Sequence, residues 1–230
     1  MWADPSSWRV LVTGGSSGLG AATCATLSGL GASVISLDRK PAAATETIVV
    51  DLADTAAAES ATRTAIETFA GLDAVICCAG VDDPGPLTTI SRESWDRTLA
   101  VNLLGMAAVT RAAMPALVER RGRIVTVAST LGHRAVGDAT AYCASKFGVV
   151  GFTRALTAEC RDQVGITLLT PGGMQTAFFD GRTEQYRPGP DARLVDPAEV
   201  AAAIVWILGR PEGIEVKELV IAGPSEPSWP

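Results

Sequence analysis

Apolar residues in this chain fall into two alternating kinds of segment. Short runs rich in Val, Ile and Leu stand at "WRVLVT" (8–13), "ASVISL" (32–37), "TIVV" (47–50), "DAVICCA" (73–79), "GRIVTVAS" (122–129), "GITLLT" (165–170) and "KELVIAG" (217–223). Longer stretches of helical character lie at 18–30, 54–70, 92–120, 140–161 and 197–209. The short runs read as strands, and their lack of a polar alternate face marks them as covered on both sides. Strands alternating with helices predict an α/β fold: a Rossmann-type, doubly wound parallel β-sheet of about seven strands with helices on both faces. Pro115 predicts a late kink in the 92–120 stretch, and Asp196 before Pro197 predicts a capped helix start. Residues 39–46 are too few for a helical crossover, which takes a dozen or more. A short loop is expected there, leaving one side of the sheet less covered.

Residues 1–230 read as a single dinucleotide-binding and catalytic domain, because no repeat, low-complexity tract or linker divides them. The tail "PSEPSWP" (224–230) is expected to lie extended, and the polar, Gly- and Pro-bearing stretch at about 174–195 to form a mobile lid. Composition narrows the class. The chain is 47% hydrophobic and 19% charged, which excludes a disordered or fibrous protein. A net charge of −6 and the absence of a basic stripe argue against a nucleic-acid partner. No uncharged apolar run reaches membrane-spanning length, so no membrane partner is expected. The five cysteines form no CxxC pair and the chain has one histidine, so no metal site is expected. An odd cysteine count and an N-terminus, "MWADPSSWRV", without the pattern of a secretion signal predict a cytoplasmic protein.

Candidate chemistry begins directly after the first strand, at "TGGSSGLG" (13–20). Gly14 permits a tight turn, while Gly18 and Gly20 allow close approach of a ligand and of helix to strand. The following helix would present free N–H groups to a pyrophosphate. An ordinary glycine-rich turn is the plainer alternative. Asp38 ends the second strand, 24 positions after Gly14, where a carboxylate can accept bonds from a ribose diol and repel a 2′-phosphate. It also fits a polar strand end. Arg39 beside it pulls the other way, since an arginine there can accommodate that phosphate. The balance predicts NAD(H) in preference to NADP(H).

A second constellation lies at "AYCASKFGVV" (141–150), where Tyr142 and Lys146 share one face of a helix. Taken alone, the pair also suits the surface of an amphipathic helix. A nearby ammonium favours phenolate, so the spacing predicts a tyrosine whose pKa Lys146 lowers, able to exchange protons near neutral pH.

Together, the TGxxxGxG spacing of Thr13, Gly14, Gly18 and Gly20, the serine Ser129 thirteen positions before Tyr142, and the YxxxK of Tyr142 and Lys146 resemble the short-chain dehydrogenase/reductase family in its short single-domain form. The resemblance covers roughly 8–222. It implies that Tyr142 is the general acid/base, that Lys146 tunes it and binds the nicotinamide ribose, and that Ser129 holds the substrate oxygen. It implies that Asn102, in "VNLLG", supports a proton-relay water. It places the cofactor against the loop residues Gly14, Ser16, Ser17, Gly18, Leu19 and Gly20, and against Asp38 and Arg39. It adds the pair Asp51 and Leu52, the strand end Cys78, Ala79 and Gly80, and Pro171, Gly172, Met174 and Thr176 of "PGGMQT". It implies a homodimer or homotetramer through helices 92–120 and 140–161. Three departures stand out: "CCAG" (77–80) where the family has NNAG, the short 39–46 connection, and no Asp-Gly-Gly ending after the last strand.

The resulting expectation is an NAD(H)-dependent oxidoreductase that interconverts a secondary alcohol and a ketone. Two alternatives share the fold: a non-catalytic dinucleotide-sensing protein, and an NADP(H)-dependent carbonyl or oxoacyl reductase. His133 is expected as a loop residue or part of the pocket lining, Cys143 as a small buried hydrophobe, and Trp95 and Met106 as packing.

Overall fold

A computed structural model describes residues 4–229. The strands are β1 (Arg9–Thr13), β2 (Ser33–Asp38), β3 (Glu46–Val49), β4 (Ala74–Cys77), β5 (Arg123–Val127), β6 (Gly165–Pro171) and β7 (Glu218–Ile221). They form one sheet in the order β3-β2-β1-β4-β5-β6-β7. Every neighbouring pair is parallel; Val12, for example, lies opposite Ser36 of β2 and Ile76 of β4. The helices are α1 (Gly18–Gly29), α2 (Thr55–Phe69), α3 (Arg92–Leu99), α4 (Met106–Arg120), α5 (Thr140–Glu159) and α6 (Pro197–Leu208).

The two-residue period of the strands sorts the apolar side chains into two cores. Leu11 points to one face, where it joins Ala58 and Ala61 of α2, Val109 of α4 and Val149 of α5. Val10 and Val12 point to the other, with Leu19 and Leu27 of α1 and Val200 and Ile204 of α6. Both faces of the sheet are therefore covered, which is why the strands carry no polar alternation. The chain winds outward in one direction from β1 to β3 and in the other from β4 to β7. The reversal between β1 and β4 opens a crevice at their carboxyl ends, the usual ligand position of such sheets.

Between β2 and β3 the chain makes bends without a helix, as the short 39–46 stretch requires, and Val49 on that edge is exposed. The 92–120 stretch carries a π turn over Ala100–Gly105, between α3 and α4. Pro115 sits inside α4 on its exposed side. The helical stretch Arg92–Arg120 is long and apolar enough to cross a membrane by composition, but half of its apolar window is buried against the rest of the protein. The tail is not extended: two turns fold it back, with Glu226 N–H donating to Gly223 O and Trp229 N–H to Glu226 O.

Candidate active site

The crevice at the sheet's switch point is a cavity of about 620 Å³. Its first wall is the glycine loop. Gly14 takes φ of +76°, and a Cβ there would stand 2.8 Å from Ala79 Cα. A Cβ on Gly20 would fall 2.0 Å from Gly14 O, so α1 packs on the strand end only without a side chain. Ser17 caps α1 without a side-chain hydrogen bond, and no acidic residue lies in the first turn. The N-terminal N–H groups of α1 thus open on a cavity lined by Gly14, Ser16, Ser17, Gly18, Leu19 and Gly20. A pyrophosphate fits this cradle.

At one end of the cavity Asp38 is fixed by two backbone donors, Ser16 N–H to Oδ2 and Lys40 N–H to Oδ1, each at 3.0 Å. Arg39 lines the same end, and so does Lys40, which the sequence reading passed over. Asp51 and Leu52 are also present. Burial pushes the Asp51 carboxyl up, but the Ala53 N–H and the Arg97 guanidinium outweigh it and hold it below the usual carboxylate range. Arg97 reaches both Asp51 oxygens, at 3.0 and 3.2 Å. Nothing in the local sequence pattern marked Arg97, because its partner lies 46 positions away.

The strand end 77–80 retains its close approach to the glycine loop despite the two cysteines. Thr13 Oγ1 accepts the Ala79 N–H at 3.1 Å, a brace from β1 itself. Cys77 is buried, whereas Cys78, Ala79 and Gly80 line the cavity. Burial raises both thiols. Asn102 sits in the π turn, fully buried. Its Oδ1 accepts from Val81 N–H at 2.8 Å, and its Nδ2 donates to Val81 O and Ser145 Oγ. The side chain does not line the cavity and both of its donors are taken. It braces the strand-end segment through Val81 and ties it to α5 through Ser145.

Ser129, Tyr142 and Lys146 all reach the cavity. Ser129 follows β5 and caps a 3₁₀ turn, its Oγ accepting from Leu131 N–H at 3.1 Å. Tyr142 and Lys146 are on the same side of α5, with Nζ 5.6 Å from the ring centroid. The ammonium donates to Val127 O at 2.9 Å. Burial dominates the electrostatics of both groups. Burial drives the Tyr142 phenol up, and the Asp82 charge adds to it, while a hydrogen bond with Ser129 and the Arg182 charge pull it back. Burial also brings Lys146 down to about 8, against the pull of Cys78, Cys77 and Asp82. Burial is the largest cause at each group, and neither group is among the causes acting on the other.

The mouth of the cavity is built from Phe178, Phe179 and Arg182 of the 174–195 stretch, together with Glu226 and Ser228 of the tail. The stretch holds two short 3₁₀ turns. Tyr186 ties it to the 133–139 loop, its hydroxyl donating to Asp138 Oδ2 at 2.9 Å. Pro171, Gly172, Met174 and Thr176 border the cavity as expected. Glu226 accepts the Gly173 N–H at 2.9 Å, and Ser228 bonds Thr130 at 2.7 Å. His133 stays outside the cavity lining; its Nε2 pairs with Thr170 Oγ1 at 3.1 Å and its ring meets Trp229 edge-on. Cys143 and Met106 are buried, and Trp95 donates its indole N–H to Thr140.

The chain shares this arrangement with known proteins. It is 30% identical over 97% of its length to glycine betaine reductase of Emericella nidulans, of which it spans only 19%. It is 28% identical over 92% of its length, and 95% of the relative's, to an uncharacterized oxidoreductase of Staphylococcus aureus. Among solved structures it superposes with a TM-score of 0.85 on 3-ketoacyl-(acyl-carrier-protein) reductase from Brucella melitensis complexed with NADH, at 25% identity, covering 96% of this chain and 99% of that one. An alcohol dehydrogenase from the archaeon Thermococcus sibiricus, complexed with 5-hydroxy-NADP, shares the fold at a TM-score of 0.82 and 23% identity over 93% of this chain and 96% of that one. A profile of the short chain dehydrogenases matches residues 9–187, the span that carries the glycine loop, Ser129, Tyr142 and Lys146. With that match over most of its length, the chain belongs to the short-chain dehydrogenase/reductase family and is an oxidoreductase of that family.

Proposed function

We propose that the protein interconverts a secondary alcohol and a ketone with NAD(H) as its hydride partner. The observation that carries this reading is the meeting of Ser129, Tyr142 and Lys146 in one cavity with the open N-terminus of α1. When bound, the nicotinamide accepts or supplies the hydride. The chain's own residues manage the proton. Tyr142 Oη holds it; burial pushes the phenol up and keeps the proton on the oxygen, ready to meet a ketone oxygen. Ser129 Oγ is in reach of the same phenol and can hold the substrate oxygen beside it. Lys146 offers a positive charge on the same helix face, which favours the phenolate needed for the oxidative direction.

The preference for NAD(H) rests on Asp38. Two backbone donors fix its carboxylate, so it cannot swing away from a 2′-phosphate. Like charges a few ångströms apart cost on the order of 1–4 kcal/mol between the dielectrics of water and a protein surface. Arg39 and Lys40 at the same end favour the second reading, an NADP(H)-dependent carbonyl or oxoacyl reductase. The protein is further proposed to pair through the 92–120 stretch and α5, because Leu104 of the π turn and Phe147 of α5 are 53% and 45% exposed. The five free thiols suit a reducing, cytoplasmic compartment.

The test is turnover of both cofactors over a panel of secondary alcohols and ketones, with Tyr142→Phe alongside. Wild-type turnover should fall by about 10²–10⁴-fold in Tyr142→Phe while cofactor binding persists. Dinucleotide binding without turnover of any substrate would favour a sensing protein instead.

A further inference from the structure

Asp82 and Arg182, a hundred positions apart, meet at the mouth of the cavity beside Tyr142. The Arg182 guanidinium lies over two aromatic rings, 4.6 Å from the Phe178 centroid and 4.9 Å from that of Phe179. Phe178 in turn contacts Tyr142, ring centroids 5.7 Å apart. Arg182 and Asp82 are 11% and 7% exposed at their side chains, and Nη2 stands 3.0 Å from Asp82 Oδ2. That contact compensates charge without a directed hydrogen bond. Arg182 Nε and Nη2 are both buried, and neither has a hydrogen-bond partner among the described residues.

Buried donors are almost always satisfied, and charged ones most stringently. The two orphans here are not scattered. Nε and Nη2 form one edge of the planar guanidinium, the edge that takes both oxygens of a carboxylate at once. Cation–π contacts with Phe178 and Phe179, whose rings stand nearly perpendicular to each other, hold the guanidinium in place. Asp82, Arg182, Phe178 and Phe179 all line the cavity that holds Ser129 and Tyr142. A purely structural ion pair would turn its donors onto Asp82. Here Asp82 Oδ2 stands 3.0 Å from Nη2 and balances the charge without taking a directed hydrogen bond from either Nε or Nη2.

We propose that the Nε/Nη2 edge of Arg182 binds a carboxylate of the substrate, so that the substrate is a hydroxy acid or its oxo-acid counterpart. The inference rests on the alcohol–ketone reading for the reacting end of that molecule; the anion site rests on Arg182 alone. Burial pushes the Asp82 carboxyl up, with Asp83 adding to it and Arg182 and Lys146 opposing. Phe178 and Phe179 would border the carbon chain between the two ends.

The experiment compares 2-, 3- and 4-oxo acids with their methyl esters in wild type, Arg182→Met, Arg182→Lys and the double variant Asp82→Asn/Arg182→Met, which leaves no stranded charge. Binding of succinate to the cofactor-loaded protein is titrated in parallel. For at least one chain length the acid should exceed its ester in kcat/KM by more than tenfold. Arg182→Met and the double variant should cut kcat/KM for that acid by about a hundredfold, mostly through KM and far more than for its ester; Arg182→Lys should recover part. Succinate should bind wild type and lose affinity in the double variant. Turnover with acid and ester alike would overturn the carboxylate site and leave the alcohol–ketone reading standing. Absence of turnover, with succinate binding lost in the double variant, would keep the carboxylate site and remove the redox reading. Succinate binding equally to all forms, or inorganic phosphate displacing it at lower concentration, would overturn the assignment.

Discussion

Lys146→Met isolates the energetic cost of the buried ammonium. Lys146 is 3% exposed, and burial brings it from its ordinary 10.5 to about 8. That displacement corresponds to about 3 kcal/mol of destabilisation at neutral pH, where the ammonium must be buried charged. Methionine fills similar space without charge, but it leaves Val127 O without the donor it has at 2.9 Å. An acceptor stranded in this way costs about 1–3 kcal/mol, so the two terms nearly cancel at pH 7 and absolute stability is a poor readout. The pH dependence does not cancel. Between about pH 8 and 10.5 the folded lysine is neutral while the unfolded one is still charged. The unfolded chain then binds more protons, so stability rises with pH through this window. From pH 7 to 9 this group should add about 1 kcal/mol to wild type and nothing to Lys146→Met. Cys24, Cys77 and Cys78, raised by burial, act in the opposite direction as pH approaches 9, but they do so in both proteins and drop out of the comparison. The assay is urea unfolding of cofactor-free protein at both pH values and one protein concentration. Indistinguishable pH dependences in two folded proteins would refute the claim that desolvation dominates at Lys146.

Asp38→Ala should narrow the ratio of kcat/KM with NAD(H) to that with NADP(H); wild-type preference for NADP(H) would show that Arg39 and Lys40 dominate the adenosine end. Light scattering at micromolar concentration should show a dimer or tetramer, and a charge at Leu104 or Phe147 should dissociate it; a monomeric wild type would refute the pairing. Deleting residues 224–230 removes the Glu226–Gly173 and Ser228–Thr130 bonds and the Trp229–His133 contact. The shortened chain should lose both cofactor affinity and a few degrees of Tm; a change in neither would show that the tail is only draped on the surface.

Much of this protein was legible because its constraints are local. The glycine loop is readable at eight consecutive positions, since one turn must accommodate both Ala79 and α1. The strands are readable because two-sided burial leaves no polar alternation. Tyr142 and Lys146 are readable because one helical turn separates them. The 39–46 stretch is readable because seven or eight residues cannot wind a crossover helix. What was not legible depends on partners distant along the chain. Arg97 reaches Asp51 from 46 positions away, Glu226 reaches Gly173 from 53, and Ser228 reaches Thr130 from 98. A tail rich in proline and serine therefore looked extended, although Glu226 and Ser228 both have destinations on the cavity rim. The π turn was hidden for a similar reason: Asn102 is held by Val81 and Ser145, and neither tie follows from helical periodicity.

Tyr142 and Lys146 mark the boundary of such reading most sharply. Sequence spacing gives the neighbour of a charge; it does not give the solvent both groups have lost. At a pair distance of 5.6 Å from ammonium to ring, attraction and desolvation have opposite signs. Here the second wins for each partner, raising the phenol and lowering the amine. A proton donor that the chain alone keeps neutral, beside a lysine that the chain alone brings to about 8, needs further charge in the cavity before it can run in the oxidative direction. The positive ring of an oxidised nicotinamide would supply that charge for Tyr142, and the N-terminus of α1 and Asp38 are placed to hold the rest of the dinucleotide. Acid–base competence is therefore proposed to arrive with the cofactor, so that phenolate formation follows binding and is not a standing property of the fold. A cofactor-free protein whose Tyr142 titrates below pH 8, read by ultraviolet difference absorbance against Tyr142→Phe, would refute that order.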